Sequence, residues 1–139
     1  MKLCKDCYPG GHGSTSSMVP KNPRPAPHPG PRCATHHRQE IERVKEANHA
    51  RYVEKTYCLA NGQYDSLYVA QGGTCAICRV ATGKARRLSV DHDHACCPGS
   101  TSCGKCVRGL LCRPCNDLLG HARDQVEFFR RAIRYLEQQ

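Results

Sequence analysis

The chain has no tryptophan, only two phenylalanines and two methionines, and aromatic residues make up 6% of its 139 positions. An ordinary apolar core is out of reach with that inventory. A small fold so poor in large apolar side chains needs staples, either disulfides or bound metals. Long apolar runs are missing too: none approaches the roughly 18 residues of a membrane span, so no membrane partner is expected. Met1-Lys2-Leu3-Cys4 lacks the apolar segment of a secretory signal, which points to the cytoplasm. Acidic residues are scarce, 12 Asp and Glu against 21 Lys and Arg.

What stands in for the missing apolar mass is 12 Cys and 8 His. In a reducing compartment, paired Cys-x-x-Cys spacings read as metal ligands rather than disulfides. The formal charge of +9 suits a polyanionic partner, nucleic acid before any other. Zinc-bound thiols are deprotonated, so two such sites would lower the total only to about +6. Binding to DNA is then expected to be steeply salt-dependent and largely sequence-independent.

Four segments can be drawn. Residues 1–37 carry Cys4-Lys-Asp-Cys7, then a Gly/Ser/Pro-rich run from Gly10 to Pro31 that cannot bury a core, then Cys33-Ala-Thr-His36. Residues 38–57 continue a helix that starts near residue 34; the stretch is free of Gly and Pro, with a thin stripe of Ile41, Val44 and Tyr52. Residues 58–121 form the central region. A short helix is expected over 61–73, carrying Tyr64, Leu67, Tyr68 and Gln71 and stopped by Gly72-Gly73. Strands follow over 88–92 and 107–111, and a helix over 113–120 enters from Pro114. Residues 122–139 hold a last helix starting at Asp124, with Glu127 completing a capping box and Val126, Phe129, Ala132, Ile133 and Leu136 as its apolar stripe.

The strongest chemical signal is Cys75-x-x-Cys78 with Cys112-x-x-Cys115, which places four sulfurs around one tetrahedral zinc at about 2.3 Å. Cys4, Cys7, Cys33 and His36 make a second four-ligand set, with His37 as an alternative to His36, since only a metal would close that coreless loop. Cys96, Cys97, Cys103 and Cys106 could hold a third zinc; disulfides or free thiols are the alternatives, and two neighbouring cysteines fit awkwardly around one ion. Cys58 has no evident partner and reads as a small buried hydrophobe. Between the paired knuckles lies Val90-Asp91-His92-Asp93-His94. Four consecutive ionisable residues at the end of an apolar strand are costly to bury. A solvated turn or another zinc site would account for them. So would a hydrolytic centre in which a carboxylate binds a hard metal and an imidazole takes a proton from water.

Three blocks, Gln71-Gly-Gly-Thr-Cys75-Ala-Ile-Cys78, Val90-Asp-His-Asp-His94 and Val107-Arg-Gly-Leu-Leu-Cys112-Arg-Pro-Cys115-Asn116, stand in the order seen in a known family. Over residues 57–120 the chain resembles the phage recombination endonuclease VII group of His-Me finger nucleases. The resemblance implies a small zinc-stabilised α+β fold with a ββα-metal core, flanking helices and an N-terminal zinc knuckle. It implies zinc at Cys75, Cys78, Cys112 and Cys115, magnesium held by Asp91 and Asn116, and His92 as general base. His94 is expected to orient or support the site. Members resolve branched DNA, including Holliday junctions, as homodimers, and a phage-encoded member would work in the host cytoplasm. Beside such a site, Arg108, Lys105, Arg86, Arg87 and Lys84 read as phosphate contacts, Arg108 first.

Two departures from the family pattern stand out. Members can carry an acidic residue three positions after the asparagine, where this chain has Leu119, with Asp117 nearby. The family's dimer-forming C-terminal region is longer than residues 121–139. The expected function is a metal-dependent endonuclease on branched DNA. The alternatives are an HNH nicking or homing-type enzyme on duplex DNA, and a noncatalytic zinc module that binds nucleic acid and would need only the cysteines. Adjacency poses one structural problem: Asp91 and His92 fall on opposite faces of a regular strand, and they share a site only if the strand ends or bulges there.

Overall fold

A computed structural model describes residues 2–7 and 24–138. Much of the Gly/Ser/Pro-rich run lies outside the described residues. The chain divides into two compact units, Met1–His49 and Ala50–Gln139. Among the described residues there are four α-helices and one two-stranded sheet, a small α+β arrangement. None of the helices is long and apolar enough to cross a membrane.

In the first unit an N-terminal strip is laid against the segment before the first long helix. Cys4 N–H donates to the Arg24 carbonyl at 3.1 Å, and Ala26 N–H donates to Lys2 at 3.0 Å. The Lys5 N–H donates to Pro31 at 3.0 Å, and Arg32 pairs with Asp6 at 2.7 Å. Helix α1 spans Ala34–Tyr57. Its surface carries ion pairs three residues apart, Glu40 with Arg43 at 2.8 Å and Glu42 with Lys45 at 2.9 Å, each worth a few tenths of a kcal/mol. The expected stripe corrects in detail. Ile41, Val44 and Tyr52 are exposed, and Val53, one position on, is the buried residue of α1.

The second unit is built on a hairpin. Strands β1 (Ser89–His92) and β2 (Val107–Leu111) pair antiparallel, and helix α3 (Arg113–His121) packs against β1. The core holds eight buried residues: Val53, Leu59, Leu88, Val90, Leu110, Leu111 and the two cysteines Cys75 and Cys115. Helix α2 (Gln63–Ala70) is shorter than expected, and Gly72 and Gly73 both take positive φ in the turn that ends it. Cys58 is exposed at φ 52°, contrary to expectation, and its neighbour Leu59 goes into the core instead.

The last helix, α4, spans Val126–Leu136. The expected capping box does not form. Arg123 and Asp124 adopt left-handed backbone, Gln125 takes the cap position, and the Asp124 carboxylate is used elsewhere. The apolar stripe is uncovered: Val126, Ile133 and Leu136 are more than half exposed.

Gln71 completes the sheet. Its amide acts as a third strand would, accepting the Leu110 N–H at 2.7 Å and donating to the Leu110 carbonyl at 3.0 Å and to Thr74 at 3.0 Å. Glycine at 109 leaves room for this, because a Cβ there would stand 2.9 Å from the Gln71 side-chain oxygen and push it aside. Replacing Gln71 by alanine leaves the N–H of fully buried Leu110 without its partner. That substitution should lower stability by about 1–3 kcal/mol. A urea midpoint equal to that of the parent chain would contradict this account of the edge.

Candidate active site and metal clusters

Cysteine and histidine side chains gather at three places, each with four ligand atoms within 4.8 Å of one another. A tetrahedral zinc with bonds of about 2.3 Å spaces its sulfurs by about 3.8 Å. Among the described residues, which include all twelve cysteines, none is in a disulfide.

In the first cluster, His36 Nδ1 lies 3.2 Å from Cys4 Sγ, 3.5 Å from Cys7 Sγ and 3.3 Å from Cys33 Sγ. The neighbouring His37 turns away and stacks on His28, ring centroids 4.4 Å apart. Burial raises the Cys4 pKa, but the backbone N–H of Cys33 and the His36 ring outweigh it and bring it down to about 6. In the second cluster, Cys78 and Cys112 sulfurs stand 3.8 Å apart, with Cys75 and Cys115 buried beside them. Burial likewise pushes Cys75 up, yet backbone N–H groups of Cys112, Cys78 and Ile77 bring it to about 6. Burial and the neighbouring thiols push Cys115 up to about 12. Such a set ionises fully only when a cation joins it, and soft sulfur donors select zinc over magnesium. These cysteine and histidine groups could hold zinc ions.

The third gathering lies in the loop joining β1 to β2. Cys96 Sγ is 4.0 Å from Cys103 and 4.0 Å from Cys97, and Cys103 is 3.8 Å from Cys106. Crowding by Cys106 and the other thiols pushes Cys96 up to about 12, while the Lys105 N–H and the neighbouring thiols lower Cys103 to about 7. Both adjacent cysteines join this cluster.

The end of the hairpin answers the adjacency problem. Asp91 pairs with Gly109 and His92 with Val107, so Arg108 is an extra residue and the register slips between Asp91 and His92. A bulge of this kind re-aims side chains at a strand end. Asp91 and His92 are both buried, at 6% and 4% exposure, where regular alternation would have turned one outward.

Arg108 uses its extra position to grip Asp91 through both carboxylate oxygens, at 2.7 and 3.0 Å, and to reach Asp124 at 3.2 Å. Asp124 in turn holds His94 Nδ1 at 2.8 Å. Burial raises the Asp124 pKa, but the His94 and Arg108 hydrogen bonds hold it below the ordinary range. His92 Nε2 is 3.1 Å from the Cys97 carbonyl, and its ring lies 4.7 Å from that of His94 and 6.1 Å from that of Tyr57. A carbonyl only accepts, so Nε2 carries the proton and Nδ1 is the basic nitrogen of the neutral ring.

Asn116 sits on α3, directly after Cys115. Its side-chain amide has no hydrogen-bond partner among the described residues. Leu119 packs on the core, and Asp117 is exposed and paired with Arg113 at 3.4 Å. Asp93 caps its own turn, accepting the Ala95 N–H at 2.9 Å. Lys84, Arg86, Arg87 and Lys105 are exposed. Sequence reasoning missed Asp124 as a member of this network. It lies thirty residues from His94, and no spacing links them.

A family model for recombination endonuclease VII matches residues 50–138. The chain belongs to the recombination endonuclease VII family. It is 45% identical over 136 residues to the Gene 59 protein of Mycobacterium phage L5, covering 97% of this chain and 73% of that protein. The Gene 59 protein of Mycobacterium phage D29 is 43% identical over the same shares. No solved structure matches the chain. Endonuclease VII membership implies a nuclease with DNA as its substrate. The match takes in the hairpin, α3 and the second and third cysteine clusters, and leaves the first cluster outside it.

Each of the first two clusters draws its ligands from one compact unit. Elemental analysis should therefore find at least two zinc ions per chain. Cys4→Ser should remove one of them and leave the urea transition of residues 50–139 in place. Zinc content unchanged by Cys4→Ser would contradict the first site.

Proposed function

We propose that the chain is a magnesium-dependent endodeoxyribonuclease with a ββα-metal centre, in which His92 is the general base and Asp91 and Asn116 hold the metal. The observation that carries this reading is the bulge at Arg108, which leaves His92 and Asp91 buried together at the strand end, with His92 Nε2 committed to the Cys97 carbonyl. The donor set fits a hard cation. Asp91 offers a carboxylate already matched to positive charge by Arg108, and Asn116 offers an amide oxygen with no other partner among the described residues. Bound there, magnesium would neutralise the charge that builds on the phosphate and on the departing oxygen.

The chain's own residues do the rest. His92 Nδ1 takes the proton of the attacking water, while the Cys97 carbonyl keeps the ring in one tautomer. His94 is held by Asp124 and supports the site. Arg108 shares Asp91 with the cation and keeps Asp124 as a second anchor, so it stays beside the site to meet a phosphate. The exposed Lys84, Arg86, Arg87 and Lys105 extend that positive surface. Branched DNA is the preferred substrate in this reading, cut to leave a 5′-phosphate, and unbranched duplex is the alternative.

The test is purified, zinc-loaded protein with magnesium on a four-way junction, a linear duplex and single strands, side by side. His92→Ala should lower the cutting rate by about a hundredfold to ten-thousandfold. Zinc content and DNA affinity should hold, because a general base acts only as charge develops. Asp91→Ala should abolish the response to magnesium without loss of zinc. Asn116→Asp should keep part of that response, and His94→Ala should be the mildest. Full activity of His92→Ala beside a dead His94→Ala would overturn the assignment of the base.

A further inference from the structure

We propose that Cys96, Cys97, Cys103 and Cys106 form a third zinc site whose role is to hold the general base: the ion fixes Cys97, and the Cys97 carbonyl fixes His92. The role, though not the ion, rests on the reading of His92 given above. Three observations meet here. The sulfur separations of 3.8 to 4.0 Å lie close to the 3.8 Å between Cys78 and Cys112 and to the edge of a tetrahedral zinc–sulfur site. Apolar burial does not order the loop. Between Asp93 and Cys106 the one buried residue is Ser102, and no apolar side chain is buried. Four free thiols crowded together gain little from proximity, whereas an ion gives the loop its binding energy.

Supporting contacts surround the cluster as they surround other metal sites. The Ser102 hydroxyl lies 3.3 Å from Cys106 Sγ and accepts the Gly104 N–H at 3.0 Å. Ser102 N–H donates to Thr56 at 2.9 Å, which ties the loop to the end of α1 within the second unit. Gly104, at φ 82°, passes so close to Cys58 that a Cβ would stand 2.8 Å from its carbonyl oxygen. The N–H groups of Cys96 and Cys97 both reach the Asp93 carbonyl, at 3.2 and 3.0 Å. The peptide that presents the Cys97 carbonyl to His92 Nε2 is thus held by the turn on one side and by a sulfur ligand on the other. Supporting groups of this kind around a metal or an active site commonly change activity tenfold to a hundredfold when lost.

The full chain, purified without chelator, should carry three zinc ions. Cys103→Ser with Cys106→Ser should carry two and keep the helical signal of the parent. Its cutting rate at saturating DNA and magnesium should fall by about tenfold to a hundredfold. Nitrogen-15 spectra should show His92 as the Nε2–H tautomer in the parent chain and as a mixture in the double variant. Cys103→His, which can still ligate zinc, should keep the third ion, the single tautomer and most of the rate. Two ions in the parent chain would overturn the site. A double variant that loses its ion yet keeps one His92 tautomer and the full rate would overturn the coupling. If His92→Ala cuts normally, the base assignment fails by itself, and the zinc count and tautomer still decide this proposal.

Discussion

The gathering of Cys75, Cys78, Cys112 and Cys115 is the constraint on which residues 50–139 depend. Two of those sulfurs, on Cys75 and Cys115, belong to the eight-residue core, so the ligand set and the hydrophobic centre are one object. Leu110, the largest fully buried side chain, lies two residues before Cys112 on β2. Asn116 lies one residue after Cys115 on α3. Whatever holds the four sulfurs together therefore also sets the spacing between the hairpin and the helix that follows it. Eight buried residues bury little apolar surface against the entropy of ordering ninety. A zinc ion held by these four thiolates would supply what such a core lacks, because its binding energy would be folding energy.

On that frame a single extra residue brings Asp91 and His92 to one strand end. Without Arg108 in excess, Asp91 and His92 would diverge across the sheet; with it, both are buried at one strand end. The same residue brings the positive charge that buried Asp91 requires, since an unpaired carboxylate at 6% exposure would be costly. From there the polar contacts run through Arg108 and Asp124 to His94, while His92 is left to the neutral Cys97 carbonyl. The two histidines are thereby distinguished. One is tied to a carboxylate, and the other keeps a free basic nitrogen.

Much of this was legible in the residues, for identifiable reasons. Helix α1 follows from twenty-four positions free of Gly and Pro, and β2 follows from a short apolar run set between Cys106 and Cys112. The Cys-x-x-Cys pairs are legible from their spacing, while the choice of His36 over His37 and the joining of both Cys96 and Cys97 show only in the structure. What escaped depends on tertiary contacts. Asp124 looks like a helix cap because Glu127 follows at the right interval, but its carboxylate finds His94 and Arg108 instead, and left-handed backbone delays α4 to Val126. Cys58 looks like a buried hydrophobe because it lacks a partner; the turn it occupies sends Leu59 inward in its place. Gln71 falls on a helix face by its spacing, while its side chain takes the place of a missing strand. The bulge has no signature in the pattern of Val107-Arg-Gly-Leu-Leu and shows only in the pairing.

The central claim is that metal-closed sulfur clusters, more than apolar burial, hold the site in place. It is tested most directly by removing zinc under reducing conditions with a strong chelator, while following circular dichroism and zinc content together. The account predicts that loss of the ion at Cys75, Cys78, Cys112 and Cys115 coincides with collapse of the secondary-structure signal of residues 50–139, and that returning zinc restores it. A fully zinc-free, reduced chain that keeps its native spectrum and its cooperative urea transition would contradict it.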